Sequence, residues 1–327
     1  MRAGPAFEFP PEQADTLKKA VRLEWLTLAY IASAVVLLYL TMGSSQAMRT
    51  TFFDDLISLA PSIAFLTAAR MARRKPDKEH PYGFHGAVSI GYLTASLALV
   101  AMGAFLLFEA VSKFAAHERT TIGGMELFGH TLWAGWPMLA AVAYSGLPTI
   151  LIGRAKLKLA PKINDKVLFA EADMMKADWQ VALATAIAVL GVGLGFWWAD
   201  PLAAGLVSLS ILHDGWKNTG TAVSDLIDRR PRKTDQSAAD PLPTRVQHWL
   251  EKLDWVEAAE VRLREEGHVY FGEAFVTPKD GTRLLPEKIA AAIRGAKALD
   301  WRLHDLTVTP LRDLKEPLEP DEAPQRA

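Results

Sequence analysis

Six long apolar stretches dominate the sequence and restrict what it can fold into. They lie near residues 25–43, 53–72, 87–114, 131–153, 174–198 and 201–218. A helix needs about 20 residues to cross the hydrocarbon core of a bilayer. The chain is therefore predicted to cross a membrane six times, with the lipid bilayer as its immediate partner.

The second and sixth stretches are the weakest of the six, because both contain ionisable residues. Asp54 and Asp55 lie in the second stretch, and His213 and Asp214 lie in the sixth. Polar side chains inside a span are costly in lipid and generally face a cavity or each other. We expect these residues to face the interior of the helix bundle.

Lysine and arginine predict the orientation, because they concentrate on the cytoplasmic side of a membrane protein. Three clusters follow the second, fourth and sixth stretches. They are Arg70, Arg73, Arg74, Lys75 and Lys78; Arg154, Lys156, Lys158, Lys162 and Lys166; and Arg229, Arg230, Arg232 and Lys233. The opposite linkers hold little more than Arg49, Lys113 and Arg119. The pattern predicts a multi-pass protein of the cell (inner or cytoplasmic) membrane with both termini in the cytoplasm.

Composition excludes several classes of site and partner. The chain has no cysteine, which excludes disulfide scaffolds, thiolate zinc sites and cysteine nucleophiles. Its 36 basic and 37 acidic residues are balanced, so nothing indicates a nucleic-acid partner. Residues 1–23 lack the basic, apolar and small-residue order of a cleaved signal peptide, and are predicted to be a retained cytoplasmic tail.

After the membrane domain, predicted over 24–233, a linker over 234–242 leads into a second domain over 243–312. Its periodicity predicts, in order, a helix, two strands that meet at Gly267, a second helix and a last strand. These elements cover 243–253, 256–267, 268–278, 284–299 and 301–310. The αββαβ order is typical of a small two-layer α+β sandwich. The proline-rich, acidic tail over 313–327 is predicted to be disordered.

One linker carries a family resemblance. The segment RRKPDKEHPYGFHGAV follows a span that contains DDLISLAPS, and it resembles the loop after the second helix of the cation diffusion facilitator family. The resemblance covers nearly the whole chain. It implies export of divalent metals through six transmembrane helices, a cytoplasmic ferredoxin-like αββαβ domain at the C-terminus, and homodimerisation through that domain.

The resemblance also implies a transport site shared by the second and fifth spans, where the family commonly has Asp-x-x-x-Asp and His-x-x-x-Asp. The first pair best matches Asp54 and Ser58, with Asp55 as the alternative if the register slips by one residue. Counting back from the Ala199-Asp200-Pro201 turn makes Asp178 the acid of the second pair. Met174 then replaces the usual histidine, and HPYGFHG replaces the common HPYGHG.

The stretch EADMMKADWQ, over residues 171–180, divides between two helix faces. Glu171, Met174, Met175 and Asp178 share one face, which suits a cation path. Asp173 and Lys176 share another, which suits a charge pair. The carboxylates could ligate a dication and take up protons when it leaves, which is the simplest route to metal/proton antiport.

The identity of the metal stays open. Oxygen ligands favour manganese, iron or magnesium-like ions, whereas a thioether and a serine leave zinc or cobalt open. The resemblance favours zinc. The positions of the acids also conflict. Asp54 opens the second span near one membrane face, whereas Asp178 lies roughly 30 Å of helix before Trp198. They can meet only if the fifth helix tilts or continues into the outer turn.

Three further groups are weaker candidates. Asp77, His80 and His85 could form an accessory metal site, or could cap turns in a loop rich in proline and glycine. His213 could join a proton relay, or could be a packed or interfacial histidine. In the C-terminal domain, regulatory metal could bind His268, Glu273, His304 and Asp305, or these could be solvated strand residues.

The leading functional hypothesis is export of a divalent metal ion in exchange for protons. A non-transporting metal sensor or assembly protein on the same scaffold is the alternative, because Ser58 and Met174 depart from the usual ligands. An intramembrane aspartyl enzyme would also use paired acids. The chain has no GxGD motif, and we do not expect an enzyme.

Overall fold

A computed structural model of the protein describes residues 7–71, 74–127, 130–281 and 285–314, apart from the side chains of residues 125–127, 130, 176 and 177. The chain forms two compact units, residues 1–227 and 228–327. Most of the tail predicted to be disordered lies outside the described residues.

The first unit is a bundle of helices. In chain order these are α1 (Pro11–Thr41), α2 (Gln46–Ile57), α3 (Leu59–Met71), α4 (Ala87–Ala115), α5 (Gly135–Leu159), α6 (Lys166–Gly193) and α7 (Ala199–Leu226). A short 3-10 helix over Ala160–Ile163 connects α5 to α6. A hairpin of two strands, β1 (Gly124–Leu127) and β2 (His130–Trp133), precedes α5. The sequence interpretation missed this hairpin, because part of it lies in the apolar stretch over 131–153.

Five helical segments in the described residues are long and apolar enough to cross a membrane, with α2 and α3 counting as one. The first unit is therefore a helical membrane domain. The helix α7 has 28 residues, a sufficient length, but its sequence includes Asp200, Asp214, Lys217 and Asp225. Its crossing of the membrane, and with it the sixth span, stays a prediction.

The helix α1 begins at Pro11, well before the apolar stretch that starts near residue 25. Proline is favoured in the first turn of a helix because its missing N–H has no intrahelical partner there, and Glu12 suits the positive end of the helix dipole. Leu17 and Ala20 are buried and pack in one cluster with Phe65 of α3. Part of the predicted N-terminal tail is thus a packed helix.

The helix α6 runs from Lys166 to Gly193, whereas the apolar stretch covers 174–198. Asp165 caps its N-terminus by accepting a hydrogen bond from the Leu168 backbone N–H at 2.8 Å. Gly195, at φ +93°, follows the helix in the left-handed region that glycine favours. Asp178 thus lies near the middle of α6, closer to its C-terminal end than the sequence analysis assumed, which lessens the conflict in depth with Asp54.

Close contacts hold α6 against α5. A Cβ atom added at Gly146 of α5 would lie 2.4 Å from the Cβ of Ala182 and 3.4 Å from the carbonyl oxygen of Asp178. Only glycine allows this approach of the two helices. The contact fixes α5 beside the acidic segment of α6.

The second unit contains α8 (Leu242–Glu251), β3 (Val256–Glu266), β4 (Val269–Pro278), α9 (Pro286–Ala298) and β5 (Leu303–Pro310). This is the predicted order of elements. The sheet order is β3-β4-β5, with β3 antiparallel and β5 parallel to β4. Gly267, at φ +63°, makes the tight turn between β3 and β4. Leu242, Tyr270 and Leu306 contribute to a hydrophobic core of this unit.

The segment before α8 is part of this unit and is not a free linker. Asp240 is buried, and its carboxylate accepts hydrogen bonds from the Tyr270 hydroxyl at 3.1 Å and the Arg302 guanidinium at 2.6 Å. Arg302 also binds Asp300. Burial acts to raise the pKa of Asp300, but the hydrogen bonds and charge of Arg302 outweigh it and hold that pKa below its usual range.

Candidate metal site in the helix bundle

The break between α2 and α3 presents the first group of acids. Pro61 has no backbone N–H, so it cannot bond to the carbonyl of Ile57 one turn earlier. The break falls at Ser58, whose backbone N–H and hydroxyl both donate to the Asp54 carbonyl oxygen at 2.9 Å. Among the described residues, none forms a hydrogen bond with the Asp54 carboxylate. The oxygens of that carboxylate therefore remain available as ligands for a cation.

Asp55 is held by α5. The Ser145 hydroxyl donates a hydrogen bond to Asp55 Oδ2 at 2.6 Å. Pro148 leaves the Tyr144 carbonyl without its helical donor, and the Tyr30 hydroxyl of α1 donates to the carbonyl oxygens of Tyr144 and Ser145, the latter at 2.8 Å. The carbonyl that Pro148 leaves without a helical donor is therefore satisfied by α1, next to the serine that binds Asp55.

Asp178 of α6 approaches both acids of α2. It lies close enough to Asp54 and Asp55 for the three carboxylates to interact electrostatically, and Thr149 of α5 lies beside it. The structure thus brings together the acids that the sequence singled out on the second and fifth spans. Both alternatives for the helix-two acid, Asp54 and Asp55, are neighbours of Asp178.

A small cavity adjoins these acids. It is lined by Ser58, Pro61, Glu171, Met174, Met175 and Asp178. The predicted face of α6 and the break between α2 and α3 therefore border the same cavity. The sulfur of Met174 accepts a hydrogen bond from the Asn218 side-chain amide of α7 at 3.6 Å. The predicted Asp173–Lys176 pair involves a side chain outside the described part of the chain.

Glu171 has a partner that sequence reasoning missed. Lys156 of α5 lies 2.8 Å from Oε1 of Glu171 and 2.8 Å from Oε1 of Glu24 in α1. The exposed fraction of each side chain is 0% for Lys156 and Glu24 and 4% for Glu171. The Ser62 hydroxyl also donates to Glu171 Oε1. These residues form a buried charge triad.

The sequence analysis counted Lys156 among the basic residues of a linker, whereas it lies in the last turn of α5. It is fully buried there, and two carboxylates compensate its charge. Helical spacing carried a signal that was not used. Ser145, Thr149 and Lys156 lie four and seven residues apart, and therefore share one face of α5.

Asp200 also has a role that the sequence analysis did not assign. Its buried carboxylate accepts hydrogen bonds from the Ser45 hydroxyl at 2.7 Å and from the backbone N–H groups of Gln46 and Ala47 at 2.6 and 3.0 Å. These N–H groups lie at the N-terminus of α2 and have no partner within the helix. Asp200 thus fixes the start of the helix that carries Asp54 and Asp55.

In the loop between α3 and α4, Asp77 caps a turn, as the alternative interpretation allowed. It accepts hydrogen bonds from the backbone N–H groups of Glu79 and His80 at 2.9 and 2.6 Å. The bond from His80 holds the pKa of Asp77 below its usual range. The His80 ring lies 3.2 Å from Asp77. His85 is buried, and its ring meets the edge of Phe7.

The remaining candidates are dispersed. His213 is exposed on α7, while the adjacent Asp214 is half-buried. In the second unit, His268 and His304 are buried, and the His304 ring contacts Phe271. The Asp305 carboxylate accepts a hydrogen bond from the Leu306 N–H. Within the described ranges, no three histidine, aspartate or glutamate side chains are gathered as a ready metal-ligand group.

Comparison with known proteins identifies the family. The model of the cation efflux transmembrane domain matches residues 25–227, which is most of the chain. The chain belongs to the cation diffusion facilitator family. The resemblance seen in its sequence is therefore confirmed, and its apolar helices are those of a multi-pass membrane transporter domain.

Several metal transporters are similar to this chain at low identity. The manganese efflux system protein MneS of Bacillus subtilis is 26% identical over 66% of this chain and 72% of its own length. The zinc transporter ZitB of Escherichia coli is 24% identical over 59% of this chain and 58% of its own length. The cadmium, cobalt and zinc/H(+)-K(+) antiporter of B. subtilis is 22% identical over 56% of this chain and 54% of its own length.

Proposed function

We propose that this protein exports a divalent metal ion, preferentially manganese, in exchange for protons. The observation that carries the proposal is the proximity of Asp54 and Asp55 of α2 to Asp178 of α6 inside the helix bundle. Three carboxylates at membrane depth are costly unless a cation or protons neutralise them. Membership of a cation efflux family agrees with a cation as the cargo.

Each acid has a role in this proposal. The Asp54 carboxylate accepts no hydrogen bond within the described residues and is the most available of the three, while Ser145 and Thr149 orient Asp55 and Asp178. Because the acids are not gathered as a ready ligand group, a dication must draw them together as it binds. Protons replace the dication when it leaves, since the same carboxylates are ligands and bases.

The donor set favours manganese. Carboxylate and hydroxyl oxygens suit harder cations such as Mn²⁺, whereas zinc favours imidazole or thiolate. Met174 stands where the family commonly has histidine, and its sulfur is occupied by Asn218. Two relatives, MneS and MneP of B. subtilis, are manganese efflux proteins. The resemblance alone favoured zinc, and the oxygen donors outweigh it.

The remaining features of the family are part of the same proposal. The helix α7 is the sixth span, the second unit is a cytoplasmic ferredoxin-like domain, and two copies associate through it. The order of elements and the mixed three-stranded sheet of that unit agree with this assignment. The protein lies in the cell membrane with both termini in the cytoplasm, as its basic clusters predict.

Transport is tested in proteoliposomes that contain the purified protein. We expect Mn²⁺ uptake driven by a proton gradient, with proton movement in the opposite direction and a higher kcat/KM for Mn²⁺ than for Zn²⁺. Liposomes without protein are the control. An absence of flux for every divalent metal, together with intact metal binding, would favour a non-transporting sensor. A higher kcat/KM for Zn²⁺ would contradict the choice of manganese.

Orientation is tested with introduced cysteines, because the chain has no native cysteine to interfere. In intact cells, an impermeant thiol reagent is expected to label Glu118→Cys but not Lys78→Cys. Both variants should react after the membrane is permeabilised, which controls for buried or absent protein. The reverse labelling pattern would overturn the orientation.

A further inference from the structure

The buried charge triad of Glu24, Lys156 and Glu171 is a charged cluster that the proposed transport site does not use. It joins α1, α5 and α6, and carries one formal positive and two formal negative charges. Burial of a lysine between two acids has a large desolvation cost, which pairing offsets only in part. Such a cluster inside a membrane domain calls for a functional explanation.

Glu171 links the triad to the ion path, because it lines the cavity that Asp178 and Ser58 also line. It lies seven residues, or two helical turns, before Asp178 on the same face of α6. A second cavity, which Asn218 borders, shares Glu171 and Met174 with the first. Glu171 therefore stands where two adjoining spaces meet, next to the proposed site.

The two oxygens of Glu171 differ. Oε1 meets Lys156 and the Ser62 hydroxyl. Oε2 is buried and has no hydrogen-bond partner among the described residues. A buried carboxylate oxygen without a donor is costly, and a passing cation would satisfy it.

We propose that Lys156 competes with the transported metal for the Glu171 carboxylate. Lys156 pairs with Glu171 while the path is empty, and releases it when a dication binds. Glu171 then serves as a transient binding site for the metal before the metal reaches Asp178. This inference depends on the proposed function for the metal that enters the path. It makes Lys156 a positioning residue that acts through Glu171.

Glu24 makes the exchange feasible. When a metal takes Glu171, the ammonium group of Lys156 keeps a carboxylate partner at 2.8 Å and is not left as an unpaired buried charge. Because Lys156 competes for Glu171, it also lowers the affinity of Glu171 for the metal. Weak binding at this point lets the ion move on to the transport site.

Two variants change the competition in opposite directions. Glu24→Gln leaves Glu171 as the only carboxylate partner of Lys156 in the triad, so Lys156 binds Glu171 more strongly. Glu24→Gln combined with Lys156→Met removes the competitor and keeps the net charge of the triad at one negative. Any difference in KM between this double variant and the wild type therefore reflects competition and not net charge.

The experiment measures Mn²⁺ flux in proteoliposomes and Mn²⁺ binding in detergent by electron paramagnetic resonance. We expect KM to rise roughly five-fold in Glu24→Gln and to fall roughly five-fold in the double variant, which should also show a lower kcat. The dissociation constants should follow the same order. A structural role alone would not move KM in opposite directions.

The outcomes separate the two proposals. No flux in the wild type would refute the proposed function, whereas the order of the dissociation constants still tests the competition. Equal or same-direction changes in both variants would overturn the role of Lys156. If the double variant does not insert into the membrane, an unchanged or lower KM in Glu24→Gln alone is sufficient to overturn it.

Discussion

Asp178→Asn is expected to abolish metal transport while leaving expression intact. The amide keeps the shape of the side chain but loses the charge that both the metal and the proton require. Asp178 also interacts with both acids of α2, so its neutralisation weakens the whole site. We expect a loss of at least about 100-fold in metal-dependent proton flux in vesicles, since the loss of even an outer-shell partner of a metal ligand typically costs about 10–100-fold.

Asp173→Asn is the matched control, because it is the same substitution on the same helix. Asp173 lies on another face of α6, away from Asp178. It does not line the cavity beside Asp178. We expect only a modest fall in flux, consistent with an interfacial charge interaction of about 1 kcal/mol or less. Equal losses in the two variants would refute the assignment of separate faces.

Much of the fold could be predicted, because hydropathy and periodicity are local properties of the chain. Long apolar stretches located the membrane helices, and alternating residues located β3 and β4 on either side of Gly267. The beginnings of α1 and α6 could not be located in this way. The N-terminal parts of both helices contain charged residues, such as Glu12 and Lys18 in α1 and Lys166 and Glu171 in α6, so hydropathy places the helix start too late.

The candidate acids were found from their types and spacing, but their partners were not. Spacing puts Glu171 and Asp178 on one face of α6, which the structure agrees with. Nothing in the spacing distinguishes Glu171, which pairs with Lys156, from Asp178, which meets the acids of α2. That difference depends on which neighbouring helix each residue faces, and is a tertiary property.

Lys156 and Asp200 show the same limit. Each is an ionisable residue near the predicted end of an apolar stretch, where charged residues are usually interfacial. In the structure both are fully buried, because Lys156 meets two glutamates and Asp200 caps the first turn of α2. A rule based on the composition of linkers cannot see such pairing between distant segments.

Lys156→Met is expected to destabilise the protein strongly. The substitution keeps a long, unbranched side chain but leaves Glu24 and Glu171 buried without a cation. Removal of one partner from a buried ion pair typically costs about 3–5 kcal/mol, because the remaining charge is uncompensated. Thermal unfolding in detergent should show a clear fall in Tm, or the protein should fail to accumulate in the membrane.

The control for this prediction is Lys113→Met, which removes a partly exposed lysine at 3.4 Å from Glu109. Glu109 keeps Arg49 at 2.7 Å, so no carboxylate is left unpaired, and the expected loss is below about 1 kcal/mol. Adding Glu24→Gln to Lys156→Met should recover part of the lost stability, since it removes one of the two uncompensated charges. If Lys156→Met unfolds at the same temperature as Lys113→Met, the triad does not carry the buried charges described here, and its role as a competitor for Glu171 fails with it.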